Sequence, residues 1–144
     1  CGEFLTVGAL TEINHGDWEG RLADEIAAEW PEELRKWHVA PETVTMPGAG
    51  GENLADIMRR AAPAVDGAAK RYKGDVLLAS HDAVIKVLLC YWLGAPLSSF
   101  FRFQVPNCSI TVVEIQEGSA PRMLLMGDAA HLGDPFERPE QKGL

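Results

Sequence analysis

The chain has 144 residues, a length that suits one domain around one core and is too short for two. With 47% apolar and 24% charged residues and only 14 Gly and 9 Pro, it is not collagen-like, coiled-coil or wholly disordered. The balance of 13 Lys and Arg against 21 Asp and Glu leaves a net charge of -8, a poor match to nucleic acid or an anionic membrane surface, so any anionic ligand must be held by a local group of donors.

In chain order, residues 9–20 (Ala-Leu-Thr-Glu-Ile-Asn-His-Gly-Asp-Trp-Glu-Gly) mix polar, aromatic and glycine residues as a structured loop does. Leu22, Ile26, Ala27 and Trp30 fall at helical spacing. Pro31 breaks that helix and suits the first turn of a second one running through Leu34 and Trp37. Residues 41–51, with two Pro and three Gly, predict a surface loop. Asn53 is the expected N-cap of a helix whose apolar face runs through Leu54, Ile57, Met58, Ala61, Val65, Ala68 and Tyr72, with a kink or interruption expected at Pro63.

Residues 76–79 (Val-Leu-Leu-Ala) form a short continuous apolar run after a turn, which predicts a strand buried on both faces in a parallel sheet. Ser80-His81-Asp82 then leads into a helix over residues 83–93, stopped by Gly94 and Pro96. Residues 109–116 are rich in β-branched side chains, Glu117-Gly118-Ser119 marks a turn, and residues 122–126 return as the second arm of a hairpin. The segment 133–144 reads as a loose tail, leaving 1–132 as the domain. No stretch approaches the roughly 18 uncharged apolar residues of a membrane span. Three cysteines, Cys1, Cys90 and Cys108, include no CxxC pair, so neither a disulfide framework nor a zinc module is expected and the cytoplasm is the default location.

The pattern is that of an α/β layer fold, in which ligands collect beyond the carboxyl ends of strands where loops feed helix N-termini. Ser80-His81-Asp82 occupies such a place. In isolation His81 reads as a structural hydrogen-bonder, Glu12 as a solvated carboxylate, and Arg59 and Arg60 as a solvated helix face. The four histidines, His15, His38, His81 and His131, share no metal-ligand spacing, and no metal or other cofactor is expected. The chain has no GxSxG, GxGxxG or GxxxxGK[ST] loop, so serine-hydrolase and nucleotide-binding readings lack their motifs.

Taken jointly, the segments say more. Leu10-Thr-Glu12 followed by Gly16-x-Trp18-Glu19-Gly20, then Gly50-Gly51-Glu52-Asn53 with Arg59 beyond it, Leu78-Ala79-Ser80-His81, Asn107-x-Ser109-Ile-Thr111 and His131-Leu132 resemble, in order, the histidine phosphatase superfamily. The likeness is to its phosphoglycerate mutase-like branch, which includes cobalamin-pathway phosphatases. It implies a three-layer α/β sandwich with a mostly parallel sheet flanked by helices, and phosphoryl transfer without a cofactor. In the family, a histidine of an Arg-His-Gly motif takes the phosphoryl group and passes it on. By position, Glu12 resembles the general acid/base and His81 the second active-site histidine. Arg21, Arg59, Asp82 and Asn107, with Arg102 beside them, are candidate contacts to a small phosphorylated metabolite.

Two departures qualify the likeness. No Arg-His-Gly occurs, and His15 in Asn14-His15-Gly16 lies inside the Glu12 segment rather than in the nucleophile's place. Relatives carry the missing motif upstream, within roughly 60–70 residues that would hold two βα passes. Since the chain opens on Cys1 rather than Met, it is expected to be the C-terminal two thirds of such a domain and inactive alone. Without a neighbouring strand, residues 76–79 are expected to leave an open edge prone to association, a homodimer being the simplest case. Asp82 stands where many relatives have Gly, and a bare carboxylate there repels phosphate unless it is paired. Alternatives are a catalytically inactive fragment or scaffold of the same fold, and a mutase. A mutase needs many cations, whereas residues 36–52 hold only Lys36.

Overall fold

The computed structural model describes residues 3–133. Its helices are α1 (Ala23–Glu29), α2 (Pro31–Val39), α3 (Leu54–Arg71) and α4 (Asp82–Leu93), followed by strands β1 (Ile110–Glu114) and β2 (Arg122–Asp128). Short 3-10 turns at Gly8–Leu10, Gly16–Trp18, Pro41–Thr43, Leu97–Arg102 and Ala130–Leu132 join them.

Local chemistry explains the boundaries. The Glu25 carboxylate accepts the Leu22 N–H at 2.9 Å and closes the start of α1. Pro31 opens α2 at the first helical position, where its missing N–H costs nothing. At the head of α3, Asn53 Oδ1 accepts the Asp56 N–H at 3.0 Å while Asp56 Oδ2 accepts the Asn53 N–H at 3.0 Å, a reciprocal cap. Gly94, at φ +61, ends α4 in the left-handed conformation that a residue without Cβ adopts most easily.

The core gathers between α3 and α4 and the loops around them. Trp18, Trp37, Ile26, Met46, Leu54 and Phe100 are almost fully buried there. Seven residues of α4 are buried, which explains why its apolar side chains surround the axis instead of forming one stripe. Trp37 packs on Phe100 with ring centroids 5.3 Å apart.

Two expectations are corrected. α3 runs unbroken through Pro63. The ring lies on the exposed side, while Leu54, Ile57, Ala61 and Val65, before and after it, are buried, so packing on α4 holds the helix together across the lost backbone bond. Residues 76–79 form no strand: they belong to no ladder among the described residues, and Leu77 is 95% exposed. A strand needs a partner, and this apolar run supplies only one side of a pair. The sheet among the described residues is accordingly the antiparallel hairpin β1–β2, with Val113 opposite Met123 and Glu114 opposite Arg122, and not the mostly parallel sheet expected. Of the tail expected at 133–144, residues 134–144 lie outside the described residues.

Candidate active site

The loop carrying Glu12 is held from three directions. On one side it interlocks with residues 46–52. Asp17 donates its N–H to Pro47 O at 2.8 Å, Glu52 donates its N–H to Asn14 O at 3.0 Å, and Asn14 donates its N–H to Glu52 Oε2 at 3.0 Å. The approach requires glycine at position 16, since its φ is +58 and a Cβ there would lie 1.9 Å from Pro47 O. From below, the Arg60 guanidinium of α3 donates to the carbonyls of Ala9, Thr11 and Glu12 and to both oxygens of Glu52. From the third direction, Ser80 Oγ donates to Leu10 O at 2.8 Å.

That last bond decides the geometry. Ser80 immediately precedes His81 and Leu10 lies two residues before Glu12, so segments 70 residues apart in sequence are seated side by side. Glu12 is half-buried, and its Oε1 accepts the N–H of the buried Ile13 at 2.9 Å. His81 is exposed at the N-cap of α4, where its carbonyl accepts the Ile85 N–H at 2.9 Å. The helix beginning there presents free N–H groups and the positive end of its dipole, a setting that favours an anion.

Asp82 does not face this place as a bare charge. Its Oδ2 pairs with Lys86 Nζ at 2.7 Å, and Lys86, one turn later and only 8% exposed, lies over the Phe100 and Phe101 rings at 5.2 and 5.8 Å. The Lys86 ammonium offsets the Asp82 charge through Oδ2, while Oδ1 is buried without a hydrogen-bond partner. An ionised carboxylate also offers an oxyanion no donor.

Two of the other candidates, Arg21 and Arg59, are already paired with carboxylates. Arg21 pairs with Glu29 at 2.6 Å and lies over the Trp30 ring at 4.9 Å. Arg59 is exposed and pairs with Asp56 at 2.6 Å. Asn107 is exposed in the turn before β1, next to Cys108 at φ +60, and Arg102 is exposed at the end of a 3-10 turn. A shallow surface depression is lined by Glu52, Asp56, Arg59 and Arg60, where each guanidinium already has its carboxylate. Glu52 is held below the ordinary carboxylate range, chiefly by Arg60 and further by the Asn14 N–H. Asp56 is also lowered, first by the Asn53 N–H and then by Arg59. Among the described residues no group of three or more His, Cys, Asp and Glu could hold a metal ion.

Arg60, read from the sequence as part of a solvated face, is the residue that reading missed. The signal was present: at about 100° per residue, Arg59 falls opposite the Leu54–Ile57–Ala61–Val65 stripe and Arg60 on its flank.

Residues 3–129, almost the whole described chain, match the family model described as histidine phosphatase superfamily (branch 1). The chain belongs to the histidine phosphatase superfamily. It is 31% identical over 133 residues to phosphoserine phosphatase 1 of Hydrogenobacter thermophilus, a match covering 92% of this chain and 62% of that protein. Similarity to a probable phosphoglycerate mutase of Yersinia pestis is 33% over 142 residues, covering 94% of this chain and 65% of the relative. Among solved structures of this superfamily fold, YhfR of Bacillus stearothermophilus superposes with a TM-score of 0.78 at 30% identity, over 87% of this chain and 61% of its own. The chain thus spans somewhat under two thirds of each of these relatives.

Proposed function

We propose that the protein bearing this chain is a phosphomonoester phosphatase acting on a small phosphorylated metabolite, with Glu12 as general acid and then base and His81 as a donor to the transferring phosphoryl group. The Ser80 Oγ–Leu10 O bond, which seats the two residues' segments together, carries the reading. Phosphoryl transfer depends on in-line positioning and on donors aimed at the equatorial oxygens. His81 at the start of α4 suits the second need, and a carboxyl able to hold a proton lets the ester oxygen leave and then takes a proton from the attacking water. The resemblance supplies the remaining step: a histidine of an Arg-His-Gly motif, absent from these 144 residues, accepts the phosphoryl group and yields it to water. In the whole protein, residues 76–79 would be one strand of the parallel sheet of the three-layer sandwich.

Hydrolysis is favoured over mutase chemistry because residues 36–52 hold only one Lys or Arg, Lys36, where a doubly charged sugar-acid intermediate would need several. Likeness to a phosphoserine phosphatase makes O-phosphoserine the first ester to try. In the protein as its gene encodes it, His81→Ala should lower kcat at least ~100-fold, and acid-labile phosphohistidine should be trapped during turnover. Residues 1–144 alone should show no turnover of an aryl phosphate. Activity of that piece, abolished by His81→Ala, would show that the nucleophile lies elsewhere than proposed.

A further inference from the structure

We propose that Arg60 is a positioning residue for the Glu12 carboxyl, acting through the backbone of the loop that carries it; this rests on the reading of Glu12 as the acid/base. A guanidinium has five N–H bonds, and all five are committed here. Nε donates to Glu52 Oε1 at 2.7 Å, and Nη2 donates to Glu52 Oε2 at 2.9 Å and to Glu12 O at 3.2 Å. Nη1 donates to Ala9 O and Thr11 O, both at 2.8 Å. No donor remains for a phosphate oxygen, so Arg60 does not bind substrate.

Its partners show what it does instead. The carbonyls of residues 9, 11 and 12 turn to one planar fork on α3, while the carbonyl of residue 10 turns the other way to Ser80 beside His81. The loop is therefore stretched between α3 and the His81 segment, and its backbone dihedrals are fixed on both sides of Leu10. Glu52, held by the same guanidinium, accepts the Asn14 N–H and pins the chain just beyond Glu12. Both side chains of the pair are 21% exposed, so water competes weakly for these bonds. Lysine cannot replace the arrangement, since a single ammonium carries three donors and no planar fork.

The test reads how strongly the leaving group needs a proton, in the protein as its gene encodes it. O-phosphoserine expels an alkoxide that needs an acid, whereas 4-nitrophenyl phosphate expels an anion that leaves without one. If Arg60 places the Glu12 carboxyl, Arg60→Lys lowers kcat/KM for O-phosphoserine ~10-fold or more and that for the nitrophenyl ester by less than ~3-fold. In a Glu12→Gln background the same change adds no further loss, because its route runs through Glu12.

Equal losses on both esters, or losses that multiply with Glu12→Gln, overturn the positioning role while leaving Glu12 in place. If Glu12→Gln itself leaves O-phosphoserine hydrolysis intact, or neither ester is turned over, the proposed function fails first. Should Arg60→Lys not fold, Glu52→Gln goes through the same cycle. Loss of near-ultraviolet circular dichroism in both variants assigns the pair to stability and overturns the inference.

Discussion

At position 82 a carboxylate stands next to the histidine proposed to touch phosphate, and it is paired with the buried Lys86. The pair is only partly desolvated, since the Asp82 side chain is 31% exposed. Removing its cation should therefore cost less than for a fully buried pair, and Lys86→Met is expected to destabilise the fold by about 1–3 kcal/mol, read as a lower denaturant midpoint. The same change should weaken inhibition by inorganic phosphate in the protein as its gene encodes it. Adding Asp82→Asn should restore that inhibition, because it removes the exposed charge that Lys86 had cancelled. If Lys86→Met left phosphate inhibition unchanged, Asp82 would not be felt at the site. At position 52 the sign of the pH effect is fixed by the lowered pKa. The unfolded chain takes up its proton near 4.5, while the folded state resists until lower pH. The Arg60–Glu52 contribution is thus present above that value and lost as pH falls through the folded pKa. Unfolding midpoints followed from pH 6 down to ~3 should drop steeply in the parent and less steeply in Glu52→Gln.

Among the elements, α3 bears two opposing features. Its N-terminus is closed by the reciprocal Asn53–Asp56 cap, and its middle contains a proline that withholds a hydrogen bond from the Arg59 carbonyl. Tertiary packing overrides the second: the stripe buried against α4 continues past the defect. Pro63 is exposed, so replacing it frees no cavity. Pro63→Ala is expected to stabilise the protein by about 1–3 kcal/mol through the regained bond, seen as a higher melting temperature. Unchanged or lowered stability would mean that the proline ring itself packs usefully.

For the whole molecule, the segment 76–79 and the hairpin leave apolar side chains in water, among them Leu77, Leu124 and Met126. Residues 1–144 alone should therefore associate with increasing concentration in sedimentation, and Leu77→Lys should reduce the association; a monomer at all concentrations would contradict this. Much of the architecture was legible along the chain. Pro31, Asn53, Gly94 and the Glu117-Gly118-Ser119 turn act within a few residues of themselves, and the elements they bound follow from local sterics and capping. The order of short motifs placed the chain in its family and singled out Glu12 and His81 as candidates. What the sequence could not determine depends on distant partners. Whether residues 76–79 pair and whether a helix survives Pro63 are decided by what packs against them. Tertiary structure alone joined Ser80 to Leu10 and gathered three loop carbonyls and Glu52 on Arg60, because those bonds span up to 70 residues and form only when the core has brought their donors within reach.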